Sequence, residues 1–352
     1  MKILFITDTT SGCYKVRSKV PAKYLERIGH KVQILSKVEQ VKEIEKPDVV
    51  VFFRGYPTAI DELVRFFKAM KIKVVYDSDD ALDLVRENNP SYAAVKESIQ
   101  SIYYLVKNAD VITTTTDTLA QYFRKFNKNV SVLPNCVDLE EWQERNGSQK
   151  LRIGFSGSSS HITDLLIVVD VIRDLQKKYD FDFVIQGFTP LKSLEEWYEH
   201  NLEASGQMFK NHQIGRELKI LTDKLKNIRY EFHPFIDTDK HHEKLRELNL
   251  DIGLCPLEKN DFNKYKSCIK FYEYAMVGTV SLASNVFPYS NEVNYLAKNN
   301  YWDWKEKLEK LITDKELRNK LLREQRKWVL ENRDISQKVE MWQKLYECRE
   351  NK

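Results

Sequence analysis

Lys266, Lys270 and Glu273 follow one another at spacings of four and three residues, in a stretch that reads as the start of a helix. If that helix begins early enough, all three side chains share one face. Two ammonium groups so placed suit a diphosphate, each charge-assisted bond contributing about 1.5–3 kcal/mol. A carboxylate beside them can accept from the two vicinal hydroxyls of a ribose. The competing reading is an ordinary i, i+3 Lys–Glu pair in water. A second candidate is the small-residue run Gly154-Phe155-Ser156-Gly157-Ser158-Ser159-Ser160-His161, which leads into a helix. Free backbone N–H groups, hydroxyls and the positive end of a helix dipole attract anionic oxygens there, although such a run is equally a plain tight turn.

These groups need a scaffold, and the chain alternates short apolar runs with helical stretches. The runs Ile3 to Ile6, Lys31 to Leu35, Val49 to Phe53, Val74 to Tyr76, Val111 to Thr113 and Val130 to Leu133 are separated by helical patterns around 16–28, 60–70, 93–107 and 118–126. Continuous apolar strands alternating with helices predict a parallel sheet covered on both faces. A second series runs from Leu151-Arg152-Ile153-Gly154-Phe155 through Phe181 to Gln186, Ile228 to Phe232, Ile252 to Leu254 and Val280 to Ala283. The fold class expected is therefore α/β, with two doubly wound, Rossmann-like parallel-sheet domains. Polar residues 144–150 are the expected linker, giving a first domain of 1–148, a second of 149–335 with a helical insert at 188–227, and a C-terminal helix at 336–352 that packs back on the first. In such sheets ligands bind at the carboxyl ends of strands.

Composition sets bounds. The 352 residues are 42% hydrophobic and 31% charged, enough for two cores. Lys and Arg total 56 against 52 Asp and Glu, a net charge of +4, which gives no particular support for a nucleic-acid binder. Five cysteines without a C-x-x-C pair fit a reduced, cytosolic protein. No apolar run approaches the 18 or so residues of a membrane span. In the insert, Ile214, Leu218, Leu221, Leu225 and Ile228 form one apolar face flanked by Lys210, Arg216, Lys219, Lys224, Lys226 and Arg229. Packing on the sheet explains this pattern, and a peripheral helix at the inner membrane face is the alternative.

The run Ile252-Gly253-Leu254-Cys255-Pro256-Leu257, followed by Phe262-Asn263, Lys266-Ser267, Lys270, Glu273-Tyr274-Ala275 and Gly278, resembles the donor-binding signature of retaining glycosyltransferases of the two-Rossmann GT-B fold. Leu133-Pro134-Asn135-Cys136-Val137-Asp138 is similar to the segment closing their first domain, and Ile335 to Tyr346 is similar to their last helix. Gly12, Tyr14, Arg17 and Pro21, and the acidic loop Tyr76-Asp77-Ser78-Asp79-Asp80, resemble features of one branch. Two departures stand out. Tyr265 occupies the position of a first glutamate, with seven residues between it and the second, leaving Glu258, Asp261 or a phosphate contact from Lys266 to replace it, and Cys136 stands where glycine is usual.

The resemblance implies sugar transfer from a nucleotide diphosphate, a UDP-sugar foremost, to an acceptor hydroxyl across the cleft, with retained configuration and no resident cofactor or metal. Lys270, Lys266, Glu273, Arg17 and Asp79 are the expected catalytic group. Ser156, Gly157, Ser158, His161 and Ser267, with the two lysines and Glu273, are the expected donor contacts, while Gly12, Tyr14, Arg54, Asp77 and Asp80 would face the acceptor. Arg17 and Arg54 would meet the diphosphate or an anionic acceptor, and the aspartates would contact hydroxyls, hold a divalent ion or cap a helix. His161 would touch donor phosphate or simply cap its helix, and His241-His242 has no partners at zinc spacing. The acceptor is an unspecified glycan, lipid-linked carrier, protein or, less favoured, DNA. Alternatives are a non-catalytic nucleotide-sugar-binding module and an epimerase or phosphorylase of the same fold.

Overall fold

The structure is a computed structural model that describes residues 1–9, 12–38, 41, 45–56 and 60–347. Thr10 and Ser11 of the first loop, and Cys348 among the five cysteines, lie outside the described residues. Two six-stranded sheets, parallel throughout, organise the chain. The first comprises β1 (Lys2–Ile6), β2 (Lys31–Leu35), β3 (Val49–Phe53), β4 (Lys73–Ser78), β5 (Val111–Thr114) and β6 (Val130–Val132), in the order β2-β1-β3-β4-β5-β6. The second comprises β7 (Arg152–Ser158), β8 (Asp182–Phe188), β9 (Tyr230–His233), β10 (Ile252–Cys255), β11 (Val280–Ser284) and β12 (Leu296–Ala297), in the order β12-β11-β10-β7-β8-β9. That is the doubly wound dinucleotide-binding order, with its switch point between β7 and β10.

The strands are apolar throughout because both faces are covered. Every residue of β3 and β10 is buried, and each sheet carries one apolar cluster per face. The insert forms two helices, Leu194–Asn211 and Gln213–Leu225, and the apolar stripe of the second buries Leu218, Leu221 and Leu225 in the core of the second sheet. Its basic flank is tied up locally, Lys219 with Asp223 at 2.6 Å and Lys224 with Asp170. Packing thus consumes the face that a membrane-surface helix would need.

Residues 144–150 differ from the expected linker. Arg145 donates to the Gly278 carbonyl at 3.0 Å and pairs with Asp251 at 2.6 Å, while the Asn249 side chain holds Gly147 on both its N–H and C=O. The left-handed turn at Gly147 and a half-buried ion pair fasten this polar stretch to the second half. The crossing lies earlier, at residues 133–138, where Val137 bridges to Asp334 as the chain returns. The returning helix, Ile335–Glu347, places Val339, Trp342 and Tyr346 in the core of the first half beside Phe5 and Leu25.

Candidate functional site

A cavity of about 230 Å³ opens between the halves at the β7 switch point, lined by Ser156 to Ser158, His161, Lys270 and Glu273 from the second half and by Gly12, Lys15 and Val16 from the first. The Lys270 ammonium is buried, has no hydrogen-bond partner among the described residues, and lies 4.0 Å from the centroid of the Phe155 ring. Burial lowers its pKa below the ordinary 10.5. Leaving an ammonium unpaired in a protein interior costs free energy that an incoming anion recovers. The i, i+3 pair in water is therefore not what forms: Glu273 turns instead towards His241, whose Nε2 is 3.4 Å from its carboxylate.

Glycines make this approach possible. A Cβ on Gly157 would lie 3.1 Å from the Lys270 ammonium and 2.9 Å from the Phe155 ring. Gly187, opposite Gly157 in the register of β8 against β7, has φ +100°, and a Cβ there would lie 2.1 Å from the Gly157 carbonyl oxygen. Two helices point their N-termini at the cavity: Ile162–Gln176, after a single 3-10 turn, and Ile269–Met276, whose second residue is Lys270. Unpaired N–H groups and two dipoles thus add to one ammonium.

Several expected contacts are corrected. Lys266 lies outside the helix, which starts at Ile269; its extended backbone carries the ammonium over Phe262 at 4.6 Å and within 3.8 Å of Asp80 from the first half. It therefore shares no helical face with Lys270, because its own extended backbone and the non-helical Ser267-Cys268 separate it from the helix. Ser156 has its donors engaged, its N–H on the Tyr274 hydroxyl at 2.8 Å and its hydroxyl on Gln186. Ser158 pairs with the Ser160 hydroxyl at 2.8 Å, and Ser267 accepts from Asn135 at 2.7 Å across the halves. Tyr14 lines a separate surface groove with Lys19 and Lys23.

Arg17 and Asp77 lie beneath the site. Arg17 donates through Nε to Asp77 at 2.9 Å, and its Nη1 donates to the Leu133 carbonyl at 2.6 Å and Asn135 at 3.2 Å. This fully buried pair fixes the crossing segment and has no face towards diphosphate or acceptor. Arg54, at the end of β3 with φ +62°, grips Asp79 at 2.8 and 2.9 Å and reaches Asp80 at 3.4 Å and the Cys13 sulfur at 3.0 Å. Burial raises the pKa of Asp79, but Arg54 more than offsets it and the net shift is downward. Burial also raises that of Asp80, with Lys266 opposing and Asp79 adding. Asp80 is thus the loosely held carboxylate facing Lys266, and among the described residues no group of metal-ligating side chains gathers here.

Tyr265 has a packing role. It is buried in the first half's core cluster, its ring 4.8 Å from that of Tyr122. Neither acid offered in its place reaches the cavity wall: Glu258 pairs with Arg86 at 2.7 Å, and Asp261 pairs with Lys264 at 2.8 Å in solvent. Sequence reasoning missed Asp164. It is buried one turn after His161, accepting from His161 Nδ1 at 2.6 Å and from the Glu258 N–H at 2.6 Å. The signal was its spacing of three from His161 in the first turn of a helix.

No protein-family model matches the chain, and no curated protein matches it in sequence. Solved structures do match in shape. An alpha-glucosyltransferase in complex with UDP and a 13-mer DNA containing a HMU base is 12% identical, covering 98% of each chain, with a TM-score of 0.67. HepE from Anabaena, in complex with UDP, is 12% identical over 98% of this chain and 99% of its own, with a TM-score of 0.66. A glycosyltransferase from Rickettsia africae ESF-5 is 14% identical over 98% and 97%, with a TM-score of 0.65. The fold of the chain is GT-B.

Proposed function

We propose that the chain is a retaining glycosyltransferase that moves a sugar from a nucleotide diphosphate, UDP foremost, to an acceptor hydroxyl. The observation that carries this reading is the buried, unpartnered Lys270 ammonium facing a cavity at the switch point, with Glu273 one turn along. The diphosphate lies against Lys270 and the two helix N-termini, the ribose hydroxyls donate to Glu273, and the acceptor approaches from Asp80, Arg54 and Lys266. Charge developing on the leaving phosphate meets donors already in place, so catalysis is positioning and electrostatic stabilisation. Among neighbours of the same fold, the alpha-glucosyltransferase and HepE were solved with UDP and the Rickettsia africae protein is a glycosyltransferase, which supports the donor class.

The acceptor belongs to the hydroxyl-bearing class. On that wall Asp80, held only at 3.4 Å by Arg54 and 3.8 Å by Lys266, keeps a carboxylate oxygen that can accept from an incoming hydroxyl. The test is thermal denaturation with UDP-, GDP-, ADP- and dTDP-sugars, followed by the release of UDP and free sugar from the best binder, alone and with glycans or hydroxymethyl-pyrimidine DNA. A ligand at 100 times its Kd stabilises by about 2.7 kcal/mol. No shift with any nucleotide sugar overturns the reading, and binding without sugar release replaces the enzyme by a binding module.

A further inference from the structure

We propose that His161 takes up a proton when the nucleotide diphosphate binds and, as an imidazolium, donates from Nε2 to a phosphate oxygen, with Asp164 as the residue that positions it. The proposal rests on the donor-site reading above. Its basis is a constraint on the tautomer. Asp164 is buried, and one of its oxygens accepts the Glu258 amide at 2.6 Å while the other lies 2.6 Å from His161 Nδ1. A carboxylate in that position accepts, so Nδ1 carries the hydrogen and a neutral ring presents a bare lone pair at Nε2. Nε2 has no partner among the described residues, and His161 lines the cavity.

A lone pair facing an anion repels it. His161 and Lys270 flank the same ring, the imidazole centroid 6.2 Å and the ammonium 4.0 Å from the Phe155 centroid, so an anion held by Lys270 adjoins the imidazole. It therefore binds either against that repulsion or with a proton added at Nε2, drawn from the acid form of the buffer. The charged groups facing His161 are Asp164 on its own helix, Lys270 on the helix Ile269–Met276, and Lys266 on the preceding loop, while Glu258 contributes its amide. With the cavity empty, burial and then the Lys270 charge hold the imidazole pKa at about 4, so it is neutral at pH 6. A diphosphate beside Lys270 reverses the local field and favours the cation.

Calorimetric titration with UDP at pH 6, in buffers of differing ionisation enthalpy, measures protons taken up per UDP bound. The wild type is expected to take up close to one proton more than His161→Gln, and the variant to bind about tenfold more weakly. The protons of UDP itself and of Lys270 cancel in that difference. Asp164→Asn leaves Nδ1 free to accept, allows a neutral ring to donate from Nε2, and is expected to reduce proton uptake more than affinity. If a variant misfolds, NMR titration of the His161 ring in wild-type protein, with and without UDP, gives the same answer: imidazolium shifts at pH 6 in the complex only. Equal proton uptake by wild type and His161→Gln, or a ring that stays neutral in the complex, overturns the proposal and leaves the donor site standing. No binding of UDP to the wild type overturns both.

Discussion

Lys270 concentrates the physics of the site in one atom. An ammonium without a partner in a buried position costs stability in the empty protein, and that cost is what the donor relieves. Lys270→Met is therefore expected to lower sugar transfer about 10²–10³-fold, a loss of about 2.7–4 kcal/mol of transition-state stabilisation, without lowering the melting temperature of the unliganded protein. The pH dependence has a definite sign. In the unfolded chain the lysine titrates near 10.5 and in the folded protein lower, so between the two the unfolded chain binds more protons. Stability should then climb as pH rises from the lowered value towards 10.5, and below that window the buried charge is a constant cost. Urea midpoints at pH 8, 9 and 10 should show this component in the wild type and lose it in Lys270→Met. Equal slopes would mean that the ammonium is solvated.

At the scale of elements, the β7–β8 pair decides whether the cavity exists. Gly187→Ala places a methyl group on the Gly157 carbonyl at a left-handed φ, whereas Gly147→Ala is equally left-handed but meets nothing within 4 Å. The second substitution should cost about 1 kcal/mol, from backbone strain alone, and the first several times that, by chemical denaturation. The strands were legible because continuous apolar runs buried on both faces leave few alternatives. So were Lys270, Glu273 and the Gly157 loop, since strand ends and helix starts in this topology converge. Lys266 falls outside the helix because the chain stays extended there and the helix starts only at Ile269, a delay that spacing alone does not register. Arg17 and Asp77 look like site residues in sequence, yet their buried bidentate pairing emerges only when β4 is set beside the crossing segment. Asp164 went unread because a carboxylate in a first helical turn is usually an ordinary dipole partner.

At the scale of the molecule, the two halves meet through side chains as well as through the cleft. Tyr265 carries a ring from the donor-side loop into the other half's core against Tyr122. Tyr265→Ala should therefore lower the stability of the whole chain by about 3–5 kcal/mol and also weaken UDP binding, since the same loop leads into the helix that carries Lys270. Nucleotide affinity unchanged in a destabilised variant would confine the residue to packing. Trp342 makes the complementary test. It is 2% exposed, in the core beneath β1 and β3, although it lies some two hundred residues after β6. Trp342→Ala should melt the first sheet first, seen as early loss of hydrogen-exchange protection in β1 and β3 while β7 and β10 stay protected.

That returning helix also sets a timetable for synthesis. The amino-terminal half emerges from the ribosome early but lacks part of its own interior until residues 335–347 have been made. Domains that can fold as they emerge do so amino-terminus first. Here the order is inverted: the half translated second can close its own interior while the half translated first still waits with apolar surface uncovered. The nascent chain therefore passes through a stage in which a chaperone has more to hold at its beginning than at its end.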